Sequence, residues 1–506
     1  MAARSLTQGA LGLSAIASTN HIVPFDYRAA ETMPGWRSDL AAPFSGPHLA
    51  GEFENVVAAI LDTVAGFEPE ARRASLAAAP TMINFALPAV EMALAISSEA
   101  ETGISAESPE PEFAYLQGAS DSTPPVRGAH VFDRIPRPRL PWRRHAQVTA
   151  SWTDWWRVPG AMAAPQVVAI SENPILVAEA RDSGRPISFR HAGSILAGAR
   201  RLRRGVLIAA DADRSAAQLS GSIAKAAGVP EPVRSRLSAL LHQQARFSVA
   251  RAAEDLSALG QMRSLPSEVW SGTGAQYPAR VIGQEVMRRG GKATRHDHAS
   301  TLAFAQAPYA LNALELAVST RYMVATEGLA SLMSAAASNA PHLPPPMAEI
   351  GFGHGDPSIA GLPLDSSSHR KKISRRRVVY APTFLRGFFR HAFSTLPDPV
   401  YLDWQLRLAE NLGAESSPVD LLCKPHPEGL FAGRTHPLSQ VAQCSTARFE
   451  DVMADAEGYL FDRCTSTSFW RALCTDRPVV FLKIAAPEIN ENAMAILKRR
   501  CTIIEA

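Results

Sequence analysis

The sequence predicts an α/β protein in which two β/α domains with parallel sheets face a cleft, preceded by a helical N-terminal extension. Three observations predict it. From Gln166 onward, short apolar runs alternate with helical stretches of ten or more residues, the spacing that parallel strands with crossover helices require. The alternation stops in a Pro-, Gly- and Ser-rich stretch at 338–375 and then restarts, as expected of two domains joined by a linker. At 506 residues the chain has room for about three domains, or two with a long extension.

Residues 1–97 form the extension. They are Ala-rich, and EFENVVAAILDTVAGF (52–67) places its apolar residues at helical spacing. The most apolar run, Thr81 to Ser97, is interrupted by Asn84, Pro88 and Glu91, so it reads as a buried helix rather than a membrane span. Residues 98–165 read as a linker and strap. SSEAETGISAESPEPE (97–112) is acidic and rich in Pro and Ser, and Trp142, Trp152, Trp155 and Trp156 follow among Pro and Arg. The Trp-rich part is either a strap packed on a domain or a sugar-binding platform.

The first β/α domain spans 166–337. Its expected strands are QVVAIS, PISF, GVLIAA (205–210), EVWSGTG, KATRH and RYMVAT, and a helix from Glu327 to Ala337 closes it. After the 338–375 linker, the second domain runs from 376 to 506. RVVYAP, VDLLCK, GYLFD, PVVFLK and CTII are its strands, with helices at 401–412, 448–455 and 466–475.

Composition narrows the function. Lys+Arg and Asp+Glu number 51 and 48, a net charge of +3, which argues against nucleic acid as the main partner. Only seven basic residues are Lys, so the abundance of Arg is compositional and not evidence for phosphate binding. Five cysteines without a CxxC pair fit neither a disulfide framework nor a zinc ribbon, and suit a reducing cytosol. LTQGALGLSAIAS near the N-terminus is too weakly apolar for a secretion leader. A cytoplasmic location is expected.

Ligands of open α/β sheets bind at the carboxyl ends of strands. In the second domain those ends carry Thr383 with Arg386 and Gly387, then Lys424-Pro-His426-Pro427-Glu428-Gly429, then Asp462 and Thr465-Ser466-Thr467-Ser468. A Lys, a His, an Arg and a hydroxyl-rich helix start suit an anionic ligand. The Thr465–Ser468 run is either an ordinary N-cap or a phosphate contact. The prolines around His426 hold it at the strand end, as a phosphate ligand or as part of a rigid turn.

YAPTF (380–384), KPHPE (424–428) and FDRCTSTSFWRALCTDRPVVFL (461–482) resemble the C-terminal domain of surface- and capsule-polysaccharide transferases. That group includes the CDP-glycerol glycerophosphotransferases and the CMP-Kdo and sialic acid transferases. The resemblance covers roughly 376–482, with 166–337 similar only in layout. It implies two Rossmann-like domains in the GT-B arrangement. It also implies that His426, Thr467 and Ser468 contact the nucleotide phosphate, and that no metal is needed there.

Across the cleft, the end of KATRH carries Arg295-His296-Asp297-His298. The resembling transferases often have His-Gly at this place, whereas Ala299 follows His298 here. His298 beside Asp297 reads as a general base toward an acceptor hydroxyl, against a structural or a metal-binding reading. Asp211-Ala-Asp213 and Gly351-Phe-Gly353-His354-Gly355 are set aside, the latter because it follows a Pro-rich linker rather than a strand. The basic run 370–377 is either a solvated face or a contact to anionic lipid. Together these features lead us to expect a cytoplasmic, metal-independent glycosyltransferase, reaching the inner membrane face at most peripherally. It would take a CMP- or CDP-activated donor and a glycan or lipid-linked glycan acceptor, with no cofactor. The alternatives are a UDP-sugar 2-epimerase and a catalytically silent assembly scaffold.

Overall fold

Among the described residues, the extension carries three helices after a short strand: α1 (Tyr27–Thr32), α2 (Gly46–Ala65) and α3 (Pro69–Thr102). The computed structural model describes residues 21–505, except 39, 42–44, 134–166, 172, 186, 203–208, 273–275, 299–303, 305–306, 339–342, 344–347, 361–375, 386, 389–395 and 485–488. α3 starts with Pro69 in its first turn and stops at Gly103, whose left-handed φ of 68° lets its N–H reach the Glu99 carbonyl. By length and composition α3 could cross a membrane, but most of it is buried inside the fold. Pro80 lies within it and has no N–H for the Leu76 carbonyl four residues back. Arg280 replaces that donor, with Nε 3.1 Å from the Leu76 oxygen.

The stretch expected as a linker from residue 98 is largely regular. Its first residues complete α3, because Ser, Glu, Ala and Thr all tolerate a helix until Gly103 ends it. Ile104–Glu107 then forms a strand parallel to His21–Pro24, labelled β2 and β1 respectively. Helix α4 (Pro111–Gln117) follows, and Arg127 is ion-paired to its Glu112 and to Glu110. The four Trp residues of the strap lie outside the described residues.

The first sheet is all parallel. Its strands are β3 (Val167–Ala169), β4 (Ile187–Phe189), β5 (Glu268–Ser271), β6 (Lys292–His296), β7 (Arg321–Val324) and β8 (Glu349–Phe352), in spatial order β4-β3-β5-β6-β7-β8. Helices α5 (Pro174–Asp182), α6 (Ala209–Ala226), α7 (Val233–Gly260), α8 (Tyr277–Arg288) and α9 (Pro308–Leu314) connect them. α7 packs along both α6 and α3, so the extension shares one core with this domain. Arg280 of α8 also holds the Ala313 and Leu314 carbonyls at the end of α9, at 2.8 and 2.7 Å.

Two expectations change here. GVLIAA does not end as a strand, since Ala209 and Ala210 open α6; its first four residues lie outside the described ones. The expected linker contains β8, which extends the sheet by a sixth strand. Gly351 therefore sits in a strand, and the N–H groups of Gly353 and Gly355 just after it bond the carbonyls of Val324, the last residue of β7, and of Ala325.

The second sheet contains β9 (Arg376–Ala381), β10 (Val419–Cys423), β11 (Gln443–Cys444), β12 (Gly458–Phe461), β13 (Val479–Lys483) and β14 (Thr502–Glu505). All pairs are parallel, in the order β11-β10-β9-β12-β13-β14. Its main helices are α10 (Asp398–Gly413), α11 (Thr467–Leu473) and α12 (Glu491–Arg500). Of the basic run, 370–375 lies outside the described residues, while Arg376 and Arg377 belong to β9. Arg377 pairs with Asp420 at 2.7 Å.

The extension also holds the second domain. Arg37 bonds Asp403 and Glu410 on α10, both at 2.8 Å, and Tyr27 meets the Phe431 ring edge-on at 4.9 Å. The Arg127 guanidinium lies 4.1 Å above Phe388, which also meets Phe85 of α3 with ring centroids 5.8 Å apart. The described residues between 21 and 130 are therefore a clasp between the domains as well as an extension of the first.

Candidate functional site at the facing carboxyl edges

Each sheet reverses its winding direction once. In the second sheet the reversal lies between β9 and β12, because strands 1 and 4 of a 3-2-1-4-5-6 order are neighbours. In the first it lies between β3 and β5. Backbone loops diverge at such points and leave a crevice at the carboxyl ends. The two carboxyl edges face each other. Phe304, in the loop after β6, packs at a tilt against Trp470 of α11, with ring centroids 4.0 Å apart and planes at 42°. The Phe304 carbonyl accepts the N–H of Asn490, in the segment after β13, at 2.9 Å. Asp356, beyond β8, lies close enough to Arg471 of α11 to stabilise its charge.

In the second domain the crevice floor is a closed hydrogen-bond network centred on Asp462, which is 1% exposed. Its carboxylate accepts from Tyr380 Oη at 2.6 Å, Thr383 N at 2.7 Å, Thr383 Oγ1 at 2.8 Å and Gln405 Nε2 at 3.3 Å. Tyr401 donates to the Asp462 carbonyl at 3.1 Å. Burial pushes the Asp462 carboxyl up despite these donors, and keeps both tyrosines protonated. Thr383, expected to touch the ligand, has its hydroxyl engaged here. It shapes the crevice by tying the β9 loop to β12.

Lys424 continues β10, with its N–H on the Tyr380 carbonyl at 2.7 Å. Its side chain is 8% exposed, donates to the Pro425 carbonyl at 2.8 Å, and has its ammonium held below the usual lysine range by burial. His426 is exposed and stacks on Phe384 at 4.7 Å. Its Nδ1 accepts the Glu428 N–H at 3.1 Å, which leaves Nε2 carrying the proton in the neutral ring. Pro427 and Glu428 are exposed on the same turn. Gly429, at φ 100°, closes the turn where a side chain would strike the Leu385 carbonyl. The adjacent N–H of Leu430 bonds that carbonyl at 2.6 Å.

The hydroxyl run divides its work. Ser466 is the N-cap of α11, accepting from Phe469 N at 3.1 Å. Thr465 accepts from Arg463 Nε. Thr467 and Ser468 are half-buried in the first turn, and among the described residues their hydroxyls take no partner.

On the facing edge, His298 is exposed just past β6. Asp297 accepts from the buried Tyr322 hydroxyl at 2.8 Å. His296 is fully buried, with Nδ1 3.0 Å from the Ser271 carbonyl and Nε2 2.8 Å from Glu179 Oε2. A carbonyl only accepts, so Nδ1 carries the proton it offers to Ser271. Asn173 caps α5 through Leu176 N and donates to the His296 and Asp297 carbonyls at 2.8 and 2.9 Å. Asn173, Glu179 and Tyr322 thus set the backbone that presents His298. Of these, only Asn173 had a sequence signal, as the residue before Pro174 at a helix start.

Among the described residues no group of three His, Cys, Asp or Glu is placed to hold a metal ion. Asp211 and Asp213 lie on α6, where Asp213 faces His242 and Arg246. A cavity of about 590 Å³ lies away from the facing edges, between the α2–α3 junction and α6, α7 and α8, lined by Phe67, Arg73, Leu256 and Glu285 among others. The sequence matches no protein-family model, no curated protein and no solved structure.

Proposed function

We propose that the chain is a nucleotide-dependent transferase. It moves a glycosyl or polyol-phosphate group from a cytidine-activated donor to a hydroxyl of a surface glycan, with the two domains arranged as in GT-B enzymes. The observation that carries this reading is the opposition of two carboxyl edges, each at a winding reversal. One edge presents Lys424, His426 and Thr467/Ser468, and the other presents an exposed imidazole, His298. The donor nucleotide rests against the second domain, and the acceptor approaches from the first. His298 takes the proton of the attacking hydroxyl, the new bond forms from that oxygen, and the cytidine phosphate leaves toward Lys424 and His426. Asp297 fixes the loop that carries His298 through its bond to Tyr322.

Calorimetric titration of CMP, CDP and UDP into the wild type and His426→Ala tests this. Cytidine nucleotide binding that weakens at least tenfold in the variant is the expected result. A preference for UDP, or binding of none of the three, contradicts it.

A further inference from the structure

We infer that Cys423 and Cys444 form an oxidative modification site, a thiol pair that a hydroperoxide converts to an intrachain disulfide at the edge of the second sheet. The site stands apart from the transferase chemistry and needs no nucleotide. With no CxxC motif among the five cysteines, the sequence pairs no two of them.

The sheet brings the two thiols together. β11 ends the sheet order next to β10, and the register sets Cys444 directly opposite Cys423. Both side chains enter one core. Cys423 is fully buried in the cluster that holds Tyr380 and Leu438, and Cys444 packs against that cluster while half-exposed. The Cys423 thiol donates to the Cys444 sulfur. Neighbouring strands stand about 4.8 Å apart, inside the ~4.4–6.8 Å that separates the Cα atoms of a disulfide. Its Cβ atoms sit closer, at about 3.8 Å, so the two backbones approach by roughly 1 Å at this one rung. β11 has only two residues and no strand on its other side, which permits that shift.

The two positions suit different halves of the chemistry. Cys444 is reachable from solvent, and the hydrogen bond it receives holds its thiol below the usual cysteine range. Its sulfur attacks the peroxide: an S–O bond forms, the O–O bond breaks, and the departing oxygen takes up the thiol proton and leaves as water. The Cys423 sulfur then attacks the Cys444 sulfenic acid. The S–S bond forms as the S–O bond breaks, and the Cys423 proton leaves with the hydroxyl as a second water. The thiol pair gives up two electrons, and one peroxide becomes two waters. Cys423 is enclosed and burial pushes its thiol up, so it resolves the sulfenic acid rather than meeting the peroxide first. The bridge closes residues 424–443 into a loop that contains the Lys424–Gly429 turn. Of the other thiols, Cys464 and Cys501 are buried, Cys501 donates to the Leu497 carbonyl at 3.3 Å, and Cys474 is exposed.

The test exposes the folded, reduced full chain to hydrogen peroxide, removes the excess, alkylates with iodoacetamide in urea and digests with trypsin without reductant. Lys424 precedes Pro425 and is not cut, while cleavage after Arg407, Arg434 and Arg448 puts the two cysteines on separate peptides, 408–434 and 435–448. Mass spectrometry should find these two peptides linked as the main product. The link should return to free thiols with dithiothreitol and form at least tenfold faster than Cys474 is oxidised. In Cys423→Ser, dimedone should trap a sulfenic acid on Cys444. In Cys444→Ser, Cys423 should stay reduced. No linked peptide in the wild type, oxidation of Cys474 ahead of Cys444, or linkage of either residue to another cysteine overturns the inference, as does sulfinic acid on Cys444 in place of the bridge.

Discussion

Asp462 holds the crevice together, and its removal has a magnitude that the geometry sets. In Asp462→Ala the Tyr380 hydroxyl, the Thr383 N–H and the Thr383 hydroxyl lose their acceptor inside the protein. Gln405 keeps a second acceptor in the Thr383 carbonyl, at 2.8 Å. Three stranded donors at ~1–3 kcal/mol each give a loss of about 6 kcal/mol. Asp462→Asn keeps a carbonyl oxygen for Thr383 and gives up a charge that burial already disfavours, so its cost is about 1 kcal/mol. The carboxyl is raised in the folded state, so the folded protein binds more protons than the unfolded chain above the ordinary aspartate value. Wild-type stability therefore falls as pH rises through that window, and the Asn penalty shrinks in the same direction. Urea unfolding followed through Trp404 and Trp470 measures both variants. If Asn costs as much as Ala, or if Ala costs less than about 0.5 kcal/mol, the network does not act as described.

Three further outcomes follow from other sites. Burial beside α9 pushes the Glu54 carboxyl up to about 7. The folded state then holds extra protons between about 4.5 and 7, stability falls as pH rises through that range, and Glu54→Gln should gain up to about 3 kcal/mol at pH 8 and little at pH 4. Arg280→Met removes the donors for the Leu76, Ala313 and Leu314 carbonyls, and should cost about 3–5 kcal/mol in thermal or urea unfolding. Trp470→Ala removes the ring that Phe304 rests on, and should cost about 2 kcal/mol while increasing the radius of gyration in small-angle scattering. An unchanged scattering profile would mean that this contact does not hold the edges together.

Much of the fold was legible because local patterns and tertiary environment agree. KATRH predicted β6 residue for residue, since Gly291 precedes it and the strand is short and buried. β8 was hidden because EIGF follows PHLPPP and has only four residues, so composition outweighed pattern. α3 was cut short at residue 97 because its last turn is polar, and the signal that mattered was Gly103. At the site, the Ser/Thr run correctly marked a helix start, with Ser466 as its cap. The Asp462 network was invisible because Tyr380 and Gln405 lie 82 and 57 residues away in sequence. Position further past the strand end favours His298 over His296 in the sequence, and burial separates them the same way, His296 being enclosed and His298 exposed.

Hydrogen exchange of the full chain with and without CDP tests the central claim most directly. The account predicts slowed exchange at Lys424–Gly429 and Arg463–Ser468, with a weaker effect at His296–His298 across the cleft. Slowing confined to the cavity around Phe67 and Leu256, or none at either carboxyl edge, would contradict it.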